Sequence, residues 1–242
     1  MKKKIVVFSG AGLDAESGIE TFRGSSNSTW NNYKIDDVAT PRGWKKNRER
    51  VLEFYNERRR QLLDVKPNDA HFVLAKLEES CNVIHVTQNV SDLLERAGCK
   101  NVIHLHGELT KACDSLSKKN KYDIGYNDIN IGVKCSKTGS QLRPDIVWFD
   151  EMPYRVEEGY DAIYNADILL IVGTSLQISY TLNMLSNVRQ TASDVSNPCR
   201  IIYIDPNPVN YLENYGLKIE YIKKGAIEGV TEIIEKIINE NL

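Results

Sequence analysis

Hydrophobic positions along the chain follow two alternating rhythms. Short, unbroken apolar runs rich in Val and Ile occur at Ile5–Phe8, Val83–Thr87, Ile146–Phe149, Ile168–Val172 and Ile201–Ile204. Each gives way to Gly, Asn, Asp or Pro, which predicts a set of buried strands. Between them, apolar residues recur at helical spacing. The clearest case is the last, where Ile227, Val230, Ile233, Ile234, Ile237 and Ile238 fall on one face. Asn68–Glu79 and Val156–Asn165 carry the same period. Strand–helix alternation of this kind predicts an α/β fold with a parallel, doubly wound Rossmann-type sheet.

Two stretches break the alternation. Gly24 to Val65 carries a helical segment, Arg48–Leu63, and Lys111 to Leu142 is polar and rich in turn formers. Both are expected to fold onto a smaller lobe. The chain is therefore expected to form a single domain over 1–242. Its large lobe would span approximately 1–23, 66–110 and 143–242, and its small lobe approximately 24–65 and 111–142.

Composition narrows the classes of function. A length of 242 residues suits one large domain, and 41% apolar with 26% charged residues is ordinary for a globular protein. A formal net charge of −2 gives no chain-wide attraction for nucleic acid or an anionic membrane. The five cysteines, Cys81, Cys99, Cys113, Cys135 and Cys199, are scattered and odd in number, which fits a reducing compartment. The basic start MKKK leads into an apolar run too short for a signal peptide. No stretch reaches the length of a membrane span. The expectation is a cytoplasmic protein with neither nucleic acid nor membrane as partner.

The chemistry begins at Gly10-Ala11-Gly12, directly after the first strand. Glycines there let the backbone approach a pyrophosphate at the carboxyl end of a sheet. Alone, the pattern is as consistent with a tight turn. It continues, however, as GAGLDAESGIETFRG, and this string resembles the signature of the sirtuin family. Further blocks follow in the family's order: TQNV at Thr87–Val90, HLHGEL at His104–Leu109, LRPDIVWFDE at Leu142–Glu151, GTS at Gly173–Ser175 and DPNP at Asp205–Pro208. The resemblance runs nearly the whole length and is weakest over Lys111–Ser140.

The resemblance implies an NAD-dependent protein-lysine deacylase. In that reaction the acyl oxygen attacks C1′ of the nicotinamide ribose, nicotinamide leaves, and a ribose hydroxyl then attacks the imidate. The products are nicotinamide and O-acyl-ADP-ribose. A base must take the hydroxyl proton, a task suited to histidine. The motif assigns it to His106. If Ile103–His106 continues a strand, His104 shares its face, so spacing alone does not separate the two. His71 and His85 match no motif and are expected to be structural.

By the same resemblance, Gly10, Ala11, Gly12, Phe22, Arg23, Gln88, Asn89, Val90, Ser91, Gly173, Thr174, Ser175, Asp205, Asn207 and Ala226 line the NAD site. Phe22 and Arg23 would order the loop over NAD and shield the ribose from water. Val147 and Phe149 lie in the segment expected to meet substrate backbone, which enters as acylated lysine on proteins or peptides.

The helical segment FYNERRRQLL places Tyr55 and Arg58 three apart, on one face. A phenol beside a guanidinium makes a carboxylate receptor. The pair resembles the Tyr-x-x-Arg of sirtuins that remove succinyl and malonyl groups while often retaining deacetylase activity. Arg59 and Arg60 are expected to form a solvated face.

Three departures stand out. Sirtuins usually hold structural zinc with two Cys-x-x-Cys pairs. Here Cys113 is followed three residues on by Leu116, and Cys135 by Thr138, so only two thiols of a four-coordinate site remain and no tightly held zinc is expected. Ser91 stands where the family has an Asp that contacts the nicotinamide carboxamide. Asp150 replaces the Gly of FGE, and Asp14 replaces the signature's Ser as a milder change. These differences leave open an NAD glycohydrolase or ADP-ribosyltransferase on the same fold, and a non-catalytic NAD-responsive module.

Overall fold

The structure is a computed structural model that describes residues 2–20, 33–188 and 198–240. Its centre is a six-stranded parallel sheet built from β1 (Lys4–Ser9), β2 (Asn82–Thr87), β3 (Val102–His104), β7 (Ile168–Val172), β8 (Arg200–Ile204) and β9 (Ile219–Ile222). The strand order is β3-β2-β1-β7-β8-β9. The α/β class and parallel sheet agree with the expectation from the sequence.

The unbroken apolar runs are explained by burial on both faces. Ile5 and Val7 of β1 point to one core with Ile168, Leu170, Ile202 and Ile204. Val6 and Phe8 point to the other with Leu169, Ile171, Ile201 and Tyr203. The first core is covered by α5 (Asp69–Leu77) and α9 (Ala226–Glu240), the second by α7 (Val156–Tyr164) and α8 (Ser179–Ser186). Val230, Ile233 and Ile237 of α9 are fully buried. At about 1.5–3 kcal/mol for each large apolar side chain, that stripe anchors the helix. Helix α5 is started by Asn68, whose side chain accepts from Ala70 N–H at 3.0 Å, while His71 Nδ1 accepts from Asn68 N–H at 3.2 Å. This is a capping box with imidazole in the usual place of a carboxylate.

A second, antiparallel sheet of order β5-β4-β6 comprises β4 (Gly107–Asp114), β5 (Lys121–Asp123) and β6 (Leu142–Ile146). It begins and ends a few residues outside the polar stretch read from the sequence. Helices α2 (Ile35–Val38), α3 (Pro41–Lys46) and α4 (Arg48–Asp64) pack on it. They share a third core that includes Trp44, Phe54, Tyr55, Leu109, Ile129 and Trp148.

One expected strand is displaced. Ile146–Phe149 is not part of the parallel sheet; the strand is Leu142–Ile146, paired antiparallel with β4 from Gly107↔Ile146 to Asp114↔Leu142. The chain then turns at Trp148–Glu151, where Glu151 N–H donates to the Trp148 carbonyl at 3.0 Å and Asp150 takes φ 69°. The apolarity of this run reflects Ile146 and Trp148 entering the third core. Edge strand β3 ends at His104, two residues short of the strand considered for Ile103–His106, and the mixed pattern of the short edge strand β9 carries no strand signal.

Candidate active site at the strand tips

From β1 the chain builds outward through β2 and β3, then crosses to β7, β8 and β9 on the other side. The carboxyl ends of β1 and β7 therefore flank the topological switch point, where open α/β sheets bind ligands. Two glycine turns meet there. Gly10 N–H donates to the Val172 carbonyl at 3.0 Å, and Gly12 N–H to the Gly173 carbonyl at 2.8 Å. A Cβ on Gly12 would lie 2.5 Å from Gly173 Cα, and Gly173 itself has φ +59°. Only glycine allows this contact, so the turns present bare backbone at the crevice. Ala11 opens the short helix α1 (Ala11–Ala15).

The tip of β2 is tied to both turns. Gln88 Nε2 donates to Thr174 Oγ1 at 2.9 Å, and Asn89 Nδ2 donates to the Gly10 carbonyl at 3.0 Å. The Tyr203 hydroxyl fixes the Thr174 carbonyl at 2.6 Å, and Ser175 beside it is exposed. The Val90 carbonyl accepts from Leu109 N–H at 2.8 Å, joining this tip to the small sheet. Farther along, Asp205 follows β8 and accepts from Asn207 N–H at 2.8 Å. Partial burial raises its carboxyl above the usual range. Ala226 opens α9, and Glu16 Oε2 accepts from Ile227 N–H at 2.8 Å. Phe22 and Arg23 lie outside the described residues.

Beyond β3 the chain bends, and the two histidines part company. His104 Nε2 lies 2.8 Å from Glu95 Oε1, and its Nδ1 lies 3.0 Å from the Asn89 carbonyl. Burial disfavours its charge, but Glu95, the Asn89 carbonyl and Glu108 together outweigh burial and raise its pKa. His106 turns elsewhere: Nδ1 lies 2.9 Å from the Gln88 carbonyl and Nε2 2.5 Å from the Tyr180 hydroxyl. Burial pushes its pKa down to about 4, opposed only by the Gln88 carbonyl. A carbonyl only accepts, so Nδ1 carries the proton and Nε2 presents its lone pair. This is a neutral imidazole held in the tautomer that can take a proton, at the strand tips. His71 and His85 are fully buried; His71 Nε2 is 3.2 Å from Asp14 Oδ1, and His85 Nε2 is 3.1 Å from Glu78 Oε1.

Ser91 is buried, and its hydroxyl donates to Asp14 Oδ2 at 2.6 Å. His71 Nδ1 accepts from Asn68, so its Nε2–H donates to the other oxygen of Asp14. Asp14 is thus a buried carboxylate with a donor on each oxygen, just beneath the glycine turn.

In α4, Tyr55 is buried, and its oxygen accepts from Trp148 Nε1–H at 3.1 Å. Burial raises its pKa, so the phenol keeps its proton. Arg58 Nη1 donates to the Phe54 carbonyl at 3.0 Å and to Glu57 Oε2 at 2.9 Å, with the guanidinium 4.2 Å from the Phe54 ring centroid. Val147 N–H donates to the His106 carbonyl at 2.8 Å, so this segment is bonded directly to the histidine's own backbone. Phe149 follows it and is exposed, its N–H bonded to the Ala39 carbonyl at 3.0 Å.

Arg59 corrects the sequence expectation. It is fully buried, donating from Nε to the Leu109 carbonyl at 2.7 Å and from Nη1 to Asn56 Oδ1 at 2.7 Å. It pins α4 to β4 instead of facing solvent. Arg60 does face solvent, paired with Glu53 and Asp128 at 2.8 Å each.

Cys113 and Cys135 are both buried. Burial, reinforced by the Asp145 carboxylate, pushes the Cys113 thiol up to about 12. The Cys135 thiol is held at about 7, because hydrogen bonds from Thr138 and Tyr122 outweigh burial. Among the described residues, the three-ligand group whose donor atoms lie within 4.8 Å of one another is Glu78, His85 and Cys99, which includes neither of them.

Sequence patterns missed two residues here. Tyr180, in the first turn of α8, gave no signal beyond following the GTS block. Asp14 was visible only as half of a coincidence: a carboxylate gained at 14 and lost at 91.

The geometry can be set beside known proteins. A family model described as the Sir2 family matches residues 10–180. Over 241 residues the chain is 42% identical to an NAD-dependent protein deacylase of Bacteroides thetaiotaomicron, covering 98% of each. An NAD-dependent protein deacylase of Helicobacter pylori is 41% identical over 239 residues, again covering 98% of each. A mutant Sir2 homologue in complex with ADP-ribose superposes with a TM-score of 0.86 at 32% identity, over 99% of this chain and 93% of that one. A Sir2 homologue in complex with NAD gives a TM-score of 0.80 at 31% identity, over 99% and 91%.

Proposed function

The chain belongs to the Sir2 family, and we propose that it is an NAD-dependent protein-lysine deacylase in which His106 is the general base. The observation that carries this reading is the state of His106: neutral, with Nδ1–H bonded to the Gln88 carbonyl and Nε2 turned away from it at the strand tips. As Nε2 takes a proton from a ribose hydroxyl, the ring gains charge. The Gln88 carbonyl, already on Nδ1–H, then binds a stronger donor and stabilises that charge.

The bare turns at Gly10–Gly12 and Gly173–Ser175 would receive the dinucleotide backbone, with Gln88, Asn89 and Val90 at the ribose and Asp205, Asn207 and Ala226 toward the adenosine. Phe22 and Arg23 would close over it. Val147 and Phe149 would meet the substrate backbone, an assignment supported by the bond from Val147 to the His106 carbonyl. The products would be nicotinamide and O-acyl-ADP-ribose.

Tyr55 and Arg58 support a leaning toward succinyl and malonyl groups, with deacetylation retained. The phenol is protonated and its oxygen is fixed by Trp148, while the guanidinium is held by Phe54. Structural zinc is not part of the proposal. Cys113 and Cys135 are both buried, and Cys135 lies 3.1 Å from the Tyr122 hydroxyl inside an apolar core, while Leu116 and Thr138 stand where two further thiols would be needed. The small lobe would rely on packing.

A glycohydrolase or ADP-ribosyltransferase reading draws on two departures, Ser91 on the nicotinamide side and Asp150 on the peptide side. The Asp14 carboxylate lies 2.6 Å from the Ser91 hydroxyl, which weakens the first motive. The test is mass spectrometry of NAD incubated with acetyl-, succinyl- and malonyl-lysine peptides. Acyl-ADP-ribose from the unaltered protein, and none from His106→Ala, is the expected outcome. NAD breakdown to free ADP-ribose at the same rate without peptide would contradict it.

A further inference from the structure

The hydroxyl of Tyr180 lies on the one atom of His106 that the proposed chemistry needs. The distance is 2.5 Å to Nε2, and the rings meet edge to face at 85° with centroids 6.0 Å apart. The direction of the bond follows from the other side of the ring. Nδ1 faces the Gln88 carbonyl, which only accepts, so Nδ1 holds the proton and Nε2 is an acceptor. Burial raises the Tyr180 pKa, so the phenol keeps the proton it donates.

An imidazole nitrogen has a single in-plane lone pair. It accepts one well-directed hydrogen bond, from Tyr180 or from a substrate hydroxyl, but not from both. Tyr180 sits in the first turn of α8, five residues beyond Ser175, so its backbone is continuous with the turn proposed to receive the nucleotide. A ligand seated at Gly173–Ser175 would act on the segment that holds the phenol. We propose that Tyr180 is a latch on the base: its hydroxyl occupies the place that a ribose hydroxyl takes on His106 Nε2, and nucleotide binding displaces it. The inference rests on His106 being the base.

Displacing the latch removes one hydrogen bond, whose net worth of about 0.5–1.5 kcal/mol corresponds to roughly a 2- to 12-fold penalty on apparent substrate binding. Tyr180→Phe keeps the ring and removes the hydroxyl. It is expected to raise kcat/KM for NAD within that range at neutral pH, in assays with an acetyl-lysine peptide. An unchanged value would overturn the latch. A fall would overturn it too, because it would make Tyr180 a participant in proton transfer.

A second measurement reads the imidazole itself. In ¹⁵N spectra of histidine-labelled protein, adding ADP-ribose should shift the His106 Nε2 resonance as one donor replaces another. In Tyr180→Phe, the ligand-free Nε2 resonance should move toward that of an unbonded nitrogen. A wild-type resonance that matches the variant's would show no Tyr180 bond in solution and would overturn the proposal. Failure of the base assignment appears separately, as deacylation that survives His106→Ala.

Discussion

The Ser91 hydroxyl donates to Asp14 Oδ2 at 2.6 Å, so two departures from the signature are two ends of one hydrogen bond. A carboxylate and a hydroxyl have exchanged positions across the contact between α1 and the β2 tip. Exchanging them back should restore function where either half fails. Asp14→Ser leaves two hydroxyls and an unpaired donor from His71. Ser91→Asp sets two carboxylates face to face, so one must hold a proton. Each single variant is expected to lose about tenfold or more in kcat/KM for NAD, and Asp14→Ser with Ser91→Asp to recover most of it. Coupling of about 1–3 kcal/mol in this cycle is the expected reading. Additive losses would show that the pair does not act as a unit.

The two histidines at the strand tips should separate by pH. Burial holds the His106 pKa at about 4, below the ordinary 6.5, while Glu95 raises that of His104. A base must be neutral to act, so the acid limb of kcat/KM should fall well below pH 6.5. Stability follows the same sign. Between pH 6.5 and 4 the unfolded chain binds a proton at this position that the folded chain does not, so His106 costs stability as pH falls through that window. His104 acts in reverse, contributing stability below 6.5 that is lost as pH rises through its folded pKa. A pH–rate profile with an acid limb at or above 6.5 would contradict the assignment.

An acyl carboxylate reaching Arg58 must compete with Glu57, whose Oε2 lies 2.9 Å from Nη1. Glu57→Gln should therefore lower KM for a succinyl-lysine peptide several-fold and leave the acetyl peptide little changed. Arg58→Met should do the opposite, reducing desuccinylation far more than deacetylation. Parallel changes on both peptides would remove the acidic-acyl preference.

Arg59 carries a structural prediction. Its guanidinium is buried, with Nη2 unpartnered among the described residues and burial lowering its pKa to about 10. Arg59→Ala would strand the Leu109 carbonyl and open a void between α4 and β4, while Asn56 keeps its bonds to the Ile129 backbone. A loss of about 3 kcal/mol in urea unfolding is expected. A change below 1 kcal/mol would show that these bonds do not hold the small lobe.

The parallel sheet and its glycine turns were legible because a strand buried on both faces must be apolar throughout, and bare backbone at the switch point requires glycine. Ile146–Phe149 misled because Ile146 and Trp148 are equally apolar in an antiparallel lobe. Arg59 misled because the charge run ERRR conceals one arginine whose α4 angle faces the core, satisfied by a backbone carbonyl 50 residues away. The Tyr180 contact joins groups 74 residues apart and leaves no periodic trace. What the sequence could not carry was long-range pairing: which polar group meets which.

The most direct measurement is a crystal structure with ADP-ribose bound. The account requires a ribose hydroxyl within about 3.2 Å of His106 Nε2, the diphosphate against the Gly10–Gly12 and Gly173–Ser175 turns, and the Tyr180 hydroxyl moved off the imidazole. A ribose seated far from residue 106, with the phenol still in place on the ring, would contradict it.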